Sequence, residues 1–127
     1  MDMKLRRDMH LAYVADEAVM AEQIKCRKIL QKLNFADRSD FAGIAEIVKE
    51  LLGKSDDAWI NPPFYCDYGF NISVGENFYT NHNVTIQDGA KVTFGDNVFI
   101  APNCVFSTAG HAIDSEQRGC GLEIPAG

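Results

Sequence analysis

Residues 60–106 decide the fold, and they read INPPFYCDYGFNISVGENFYTNHNVTIQDGAKVTFGDNVFIAPNCVF. Aliphatic, aromatic or small residues recur there at every sixth position over about 45 residues. The first track is Ile60, Cys66, Ile72, Phe78, Val84 and Ala90; the second is Val74, Thr80, Ile86, Val92, Val98 and Cys104; the third is Phe94, Ile100 and Phe106. Neither the helical period of 3.6 residues nor the strand period of 2 explains this step.

A step of six predicts a β-helix, in which the chain winds into a triangular prism with three short rungs to a coil. The expected corners carry Gly and Asn, which tolerate positive φ, at Gly69–Asn71, Gly75–Asn77 and Gly95–Asn97. An ordinary β-sandwich would show period-two alternation instead and no fixed step of six.

The first 53 residues are predicted to be helical. Asp16 is a candidate N-cap, and one apolar side of the following helix is Val19, Met20, Ile24, Leu30 and Leu33. Ser39 or Asp40 can cap a second helix, and Gly53 is expected to end it. The apolar positions of that second helix are Ile44, Ile47, Val48 and Leu51. We therefore divide the chain into a helical arm, 1–57, and an incomplete set of β-helix coils, 58–127.

Composition limits the classes of partner. The chain has 127 residues, a net charge of −6 and a sequence pI of about 4.9, which argues against a nucleic-acid backbone as the main partner. No apolar run approaches the roughly 18–20 residues that span a membrane. No apolar segment follows the charged N-terminus, so a secretory signal is not predicted.

The four cysteines are Cys26, Cys66, Cys104 and Cys120, and they show no CxxC spacing. In the absence of an export signal we expect free thiols in a reducing cytoplasm. No metal site is predicted from this pattern.

Several motifs, each longer than a bare hexapeptide pattern, resemble the maltose/galactoside O-acetyltransferases among the hexapeptide-repeat acyltransferases. The resembling stretches are Asn61–Asn71, Gly75–Asn83, Gly95–Asn103, Thr108–His111, Arg118 and Gly121–Glu123. The resemblance implies a left-handed parallel β-helix and a homotrimer with active sites between subunits. It also implies transfer of an acetyl group from acetyl-CoA to a hydroxyl of a sugar or similar acceptor.

The same resemblance implies the site residues. His111 occupies the position of the catalytic base, and a histidine suits that role because its ordinary pKa, about 6.5, lies near neutral pH. Asn81, Tyr79 and Glu123 match acceptor-side positions. His10 and His82 are interpreted as incidental and Asp88 as a turn residue.

The match departs from the family in two places. Val14 and Gln23 align with an acidic residue and an arginine of the arm that contact the acceptor in the family; Asp16 and Lys25 are the candidate replacements. The chain stops at Gly127, whereas relatives continue through coils that supply most acetyl-CoA contacts and the donor to the oxyanion. We therefore expect these 127 residues alone to bind acetyl-CoA poorly and to turn over slowly or not at all, with the cofactor-binding residues unassigned.

Two other functions remain open at this stage. One is a non-catalytic β-helix that serves as a scaffold or trimerisation module. The other is acyl transfer to an amine. His111 and Asn81 discriminate against the scaffold, because a scaffold needs neither residue.

Overall fold

The computed structural model describes residues 2–111 and 122–125, with the side chains of 109–111 and 122–125 left aside. Three helices come first: α1 (Met3–Asp8), α2 (Glu17–Asn34) and α3 (Phe41–Leu51). Each is capped by an aspartate whose carboxylate accepts a backbone N–H three residues later; the caps are Asp2, Asp16 and Asp40. The predicted cap at Asp16 is confirmed, and Asp40 rather than Ser39 caps α3.

The buried stripe of α2 differs from the predicted one. Val19, Leu30 and Leu33 are buried, and they are joined by Cys26 and Ile29. Met20 and Ile24 are each 49% exposed, so their assignment to this stripe was wrong. At about 100° per residue, these two positions lie a quarter turn or more from the line through Val19, Cys26 and Leu30.

The end of α3 is also different from the expectation. Val48 and Leu51 are buried as predicted, but Gly53 does not end the helix through a left-handed conformation. Its backbone N–H instead donates to the carbonyls of Gly69 and Ile72 at 3.2 and 3.0 Å. A Cβ at Gly53 would collide with the carbonyl oxygen of Phe70, so the glycine permits a close backbone approach.

Short parallel strands follow the helices. They are β2 (Trp59–Ile60), β3 (Phe64–Cys66), β4 (Ile72–Val74), β5 (Tyr79–Thr80), β6 (Val84–Gln87), β7 (Val92–Phe94), β8 (Phe99–Ile100) and β9 (Val105–Ser107). The sheets run β2-β5-β8, β3-β6-β9 and β4-β7, which gives the three sides of a prism. The predicted β-helix is therefore present. The boundary between arm and coils at 57/58 stays a prediction.

The coil is longer than a strict step of six allows. Trp59 pairs with Tyr79, and Tyr79 pairs with Phe99, so one coil takes 20 residues. The six-residue step holds at two corners, but the third takes eight, because Val84 and Ile86 are followed by Val92 and Phe94 as the next inward pair. Ala90 lies in that longer corner, residues 88–91, and not on a strand.

Asparagine, more than glycine, makes the tight corners. Asn77, Asn83, Asn97 and Asn103 all have φ between 57 and 63°, whereas Gly69 is the glycine among the described residues with positive φ. The side chains form ladders between coils: Asn77 Nδ2 donates to Asn97 Oδ1 at 3.2 Å, and Asn83 Nδ2 donates to Asn103 Oδ1 at 2.7 Å. The predicted corners are correct in place, but Gly75 and Gly95 do not supply the positive φ.

One hydrophobic core joins the helices to the prism. Its buried members include Leu33 of α2, Val48 of α3, and Phe64, Ile72 and Ile86 inside the coils. Burial weakens toward the last described coil, since Ile86 is fully buried while Phe106, stacked on it, is 37% exposed. Within the described part, no helix is long and apolar enough to cross a membrane.

A separate three-stranded antiparallel sheet lies beside the prism. Its strands are β1 (Tyr13–Val14), β10 (Ala109–His111) and β11 (Leu122–Pro125), in the order β1-β11-β10. The arm, through β1, is thereby hydrogen-bonded to the segment that follows the coils.

Candidate active site

The antiparallel sheet aligns three residues in one row across its strands. Tyr13 of β1 pairs with Glu123 of β11, and Glu123 pairs with His111 of β10. Paired residues have Cα atoms about 5 Å apart, so the backbones of Tyr13 and His111 lie roughly 10 Å from each other. The two predicted site residues His111 and Glu123 are thus neighbours, although Arg118 lies outside the described residues.

Thr108 fastens the chain immediately before β10. Its backbone N–H and its hydroxyl both donate to the carbonyl of Gln87, at 3.0 and 2.8 Å, and the hydroxyl accepts the N–H of Ala90 at 2.9 Å. The long corner of the coil therefore fixes where β10, and with it His111, leaves the prism.

A polar cavity of about 240 Å³ lies beside this sheet. Tyr13, Gln23, Arg27, Asp67 and Tyr68 line it. Gln23 Nε2 donates to the Tyr68 hydroxyl at 3.1 Å, which fixes both side chains. The cavity can hold a small polar molecule, because its wall presents a guanidinium, a carboxylate and phenol groups.

Neither candidate replacement in the arm lines this cavity, so a role of Asp16 or Lys25 toward the acceptor stays a prediction. The carboxylate of Asp16 accepts the Val19 N–H at 3.0 Å as the cap of α2, and it does not line the cavity. Lys25 faces a different cavity, with Glu22 and Glu50. Arg27, one helical turn after Gln23, brings the positive charge instead. Sequence reasoning missed Arg27 because it examined only the neighbours of the aligned positions.

Asn81 and Tyr79 lie on a different side of the prism. The backbone N–H of Asn81 donates to the carbonyl oxygen of Ile100 at 2.9 Å. The side-chain Oδ1 of Asn81 accepts the backbone N–H of His82 at 2.8 Å. The Tyr79 ring meets Phe99 edge-on, with centroids 5.9 Å apart. Neither Asn81 nor Tyr79 lines the cavity that Tyr13 lines.

Asp88 lies in the long corner, in agreement with its interpretation as a turn residue, and it has a further structural role there. It is fully buried, and its carboxylate accepts three backbone N–H groups, from Asp67, Tyr68 and Gly69, at 2.8–2.9 Å. Burial raises the pKa of Asp88, and the backbone hydrogen bonds offset that only in part. Asp88 thus joins the long corner of its own coil to the equivalent corner of the preceding coil. That preceding corner contributes Asp67 and Tyr68 to the cavity.

The described thiols Cys26, Cys66 and Cys104 are free, as predicted, while Cys120 lies outside the described residues. The Sγ atoms of Cys26 and Cys66 lie 3.6 Å apart in the core. The contact with Cys26, together with burial, raises the pKa of the Cys66 thiol. A protonated, buried thiol is a poor nucleophile, so neither residue is a candidate catalytic group.

The described residues contain no group of three or more His, Cys, Asp or Glu side chains that could hold a metal ion.

Known structures share this architecture. A maltose O-acetyltransferase from Clostridium difficile 630 superposes with a TM-score of 0.95 at 33% identity, covering 98% of this chain and 68% of that one. The chain belongs to the maltose/galactoside O-acetyltransferase family. A galactoside acetyltransferase in complex with coenzyme A gives a TM-score of 0.92 at 33% identity, covering 98% of this chain and 64% of that one. No family model matches the sequence.

A relative by sequence supports the same family. A Saccharomyces cerevisiae protein provisionally named an acetyltransferase is 55% identical over 95 residues, which is 74% of this chain and 48% of that protein. The superposition on two solved members of the maltose/galactoside O-acetyltransferase family confirms the predicted fold class, a left-handed parallel β-helix after a helical arm. The chain spans about half the length of the curated relatives it matches first.

Proposed function

We propose that this chain takes part in transferring an acetyl group from acetyl-CoA to a hydroxyl of a sugar-like acceptor. The observation that carries the proposal is the register Tyr13–Glu123–His111, which places the backbone of the candidate base in one row with Tyr13, a lining residue of the polar cavity. The galactoside acetyltransferase neighbour, whose structure contains coenzyme A, supports acetyl-CoA as the acyl donor.

His111 is the proposed general base. An alcohol is a weak nucleophile at neutral pH, so a base must take its proton as the new C–O bond forms. The resulting tetrahedral intermediate expels CoA sulfur as the C–S bond breaks, and the imidazolium returns the proton to that leaving group. Strand β10, fastened through Thr108, gives the base a fixed backbone.

Acceptor recognition involves two sets of residues in this proposal. Glu123 pairs with His111 in the sheet, and Tyr13 of the same row lines the cavity together with Gln23 and Arg27. Asn81 and Tyr79 reach the acceptor from a neighbouring subunit, since they lie on another side of the prism. A homotrimer with its sites between subunits accommodates both sets.

The outer faces of the prism support such an assembly. On one side Trp59 and Phe99 are 44% and 68% exposed, and on another Tyr65 and Val105 are 46% and 68% exposed. The third side presents Ser73 and Thr93 at the equivalent outward positions. Apolar surface on two sides and polar surface on the third is the pattern expected when two sides meet neighbours.

The test is thiol release from acetyl-CoA with a panel of sugars, for the wild type and His111→Ala. His82→Gln is the matched control, because His82 is exposed and does not line the cavity. We expect slow release that requires a sugar, falls at least about 100-fold in His111→Ala and is unchanged in His82→Gln. Equal rates for His111→Ala and the wild type would exclude the base assignment.

A scaffold is the second candidate, favoured by the same exposed apolar faces. It predicts a stable assembly with no thiol release from any acceptor. Sugar-dependent release would rule it out. Amino-sugars in the panel separate transfer to an amine from transfer to a hydroxyl. We propose a cytoplasmic location, where the described thiols stay reduced.

A further inference from the structure

A second cavity, of about 420 Å³, lies between the end of α1 and the long corners of two successive coils. Arg7 and His10 line it from the arm, and Asn71 and Lys91 line it from the coils. Its volume is within the roughly 300–1,000 Å³ of small-molecule sites. It is distinct from the cavity beside Tyr13, and the proposed acetyl transfer does not use it.

Arg7 is the unusual residue of this cavity, because only 2% of it is exposed. Its Nε donates to Asp8 at 2.9 Å, and Nη2 lies 3.6 Å from Glu22. The guanidinium lies over the Tyr68 ring, 4.5 Å from its centroid. Burial opposes its charge, but the contacts with Asp8 and Tyr68 outweigh burial and raise the pKa of Arg7, so it stays charged.

The remaining guanidinium nitrogen has no partner. Arg7 Nη1 and the Thr80 hydroxyl are the buried side-chain polar atoms of the described residues that lack a hydrogen bond. A buried charged donor without an acceptor is costly, because it has lost its hydrogen bonds to water and gained none in return. Arg7 lines an open cavity, but Nη1 itself is closed to solvent, so an acceptor in the cavity removes the cost only when the side chain turns toward it.

The charges around the cavity favour a negatively charged acceptor. The lining carboxylate, Asp8, is already bonded to Arg7 Nε, and Glu22 is shared between Arg7 and Lys4 at 3.6 Å each. The carboxylate of Asp88 is turned to the N–H groups of 67–69. The carboxylates near this cavity are thus held by other partners, and Lys91 adds a positive charge to its lining. The chain as a whole carries a net charge of −6.

The walls are held before any ligand arrives. The Asn71 amide donates to the Asp88 carbonyl at 2.8 Å, and the Ala90 N–H is fixed by Thr108. These bonds fix the coil wall that carries the Lys91 backbone, and the contacts with Asp8 and Glu22 hold the Arg7 side chain, which lowers the entropy cost of binding.

We propose that this cavity binds a small molecule through a phosphate group. The phosphate accepts from Arg7 Nη1 and pairs with Lys91, with His10 at the rim. A phosphate is favoured over a carboxylate because a monoester carries about −1.5 to −2 charge at neutral pH and three acceptor oxygens.

Calorimetric titration with inorganic phosphate, and separately with acetate, tests the proposal on the full chain. We expect saturable phosphate binding, at least about tenfold weaker in Lys91→Gln because a charge-assisted contact is lost. The matched control is Lys28→Gln, which changes an exposed lysine of α2 that is not among the lining residues and should bind phosphate like the wild type. Acetate should bind more weakly than phosphate.

Arg7 needs a second readout, since a substitution there can disturb the fold. In the ¹⁵N spectrum of the wild type, the Arg7 side-chain N–H signals should shift and exchange more slowly with solvent when phosphate is added. Saturable phosphate binding without a change at Arg7, equal affinity in Lys91→Gln and the wild type, or acetate binding as tightly as phosphate would each overturn the assignment. An absence of saturable binding would overturn it too.

Discussion

Asp88 shows how much one side chain can hold together in a solenoid. Backbone groups at a β-helix corner cannot all pair with the next coil, so something else must satisfy them. Here a single buried carboxylate accepts three N–H groups of the corner below it. Those bonds offset part of the cost of its burial, and the corner that Asp88 fixes contributes to both cavities.

Asp88→Asn is expected to destabilise the chain by about 2–4 kcal/mol, because an amide presents one oxygen and turns a donor toward another N–H. Chemical denaturation measures the free energy of unfolding. Asp96→Asn is the matched control: Asp96 also accepts a corner N–H, from Glu76, but at the surface. The control should cost about 0.5 kcal/mol or less. Equal losses in the two variants would contradict the role given to Asp88.

The joining of elements depends on close backbone approaches as well as on the core. Gly53, just after α3, donates to two carbonyls of the first coil, and a side chain there has no room. Asn34, the last residue of α2, makes a similar link, since its amide donates to the Phe64 carbonyl and accepts the Phe64 N–H. Hydrogen bonds at the C-terminal ends of both α2 and α3 therefore position the arm on the first coil.

Gly53→Ala is therefore expected to cost about 1–3 kcal/mol, because the added methyl must push the α3 end away from the coil. Gly95→Ala provides the comparison, since a Cβ at Gly95 would meet nothing within 4 Å. That variant should be neutral or slightly stabilising. Thermal unfolding of both variants measures the loss of stability. An unchanged stability of Gly53→Ala would show that the contact between α3 and the coil can accommodate a methyl group.

Elements with a long repeated pattern could be predicted from the sequence, and elements set by single contacts could not. The step of six identified the rungs and most inward residues, because each rung buries the same positions. The eight-residue corner was missed, since Ala90 continues the six-residue track by composition while lying off the strands. Strand β1 has two residues and no periodic signal, so its pairing with β11 was invisible.

The candidate site divides in the same way. The motif around His111 was recognisable because it is contiguous in sequence. Asp88 and Arg27 were missed because their importance depends on burial and on which helix face turns inward, and a single sequence shows neither directly. Asn corners were found by residue type, yet the choice of Asn over Gly for positive φ required the backbone itself.

At the scale of the whole molecule, the outward faces predict assembly. Phe99→Asp places a charge on the apolar side that carries Trp59 and Tyr79, and it should weaken self-association at least about tenfold. Thr93→Asp makes the same change on the polar side and should leave the assembly intact. Analytical ultracentrifugation reports the mass. A wild-type monomer, or equal effects of the two variants, would contradict a homotrimer built on the apolar sides.

The 20-residue register has a consequence for how such a chain can change in length. Duplicating residues 79–98 would add one storey, with every inward side chain, Asn ladder and long corner repeated in place. Inserting a single hexad would instead shift the long corner onto a side built for a short one. Insertions and deletions that preserve this fold therefore come in whole coils of 20 residues, although the repeat visible in the sequence is six residues.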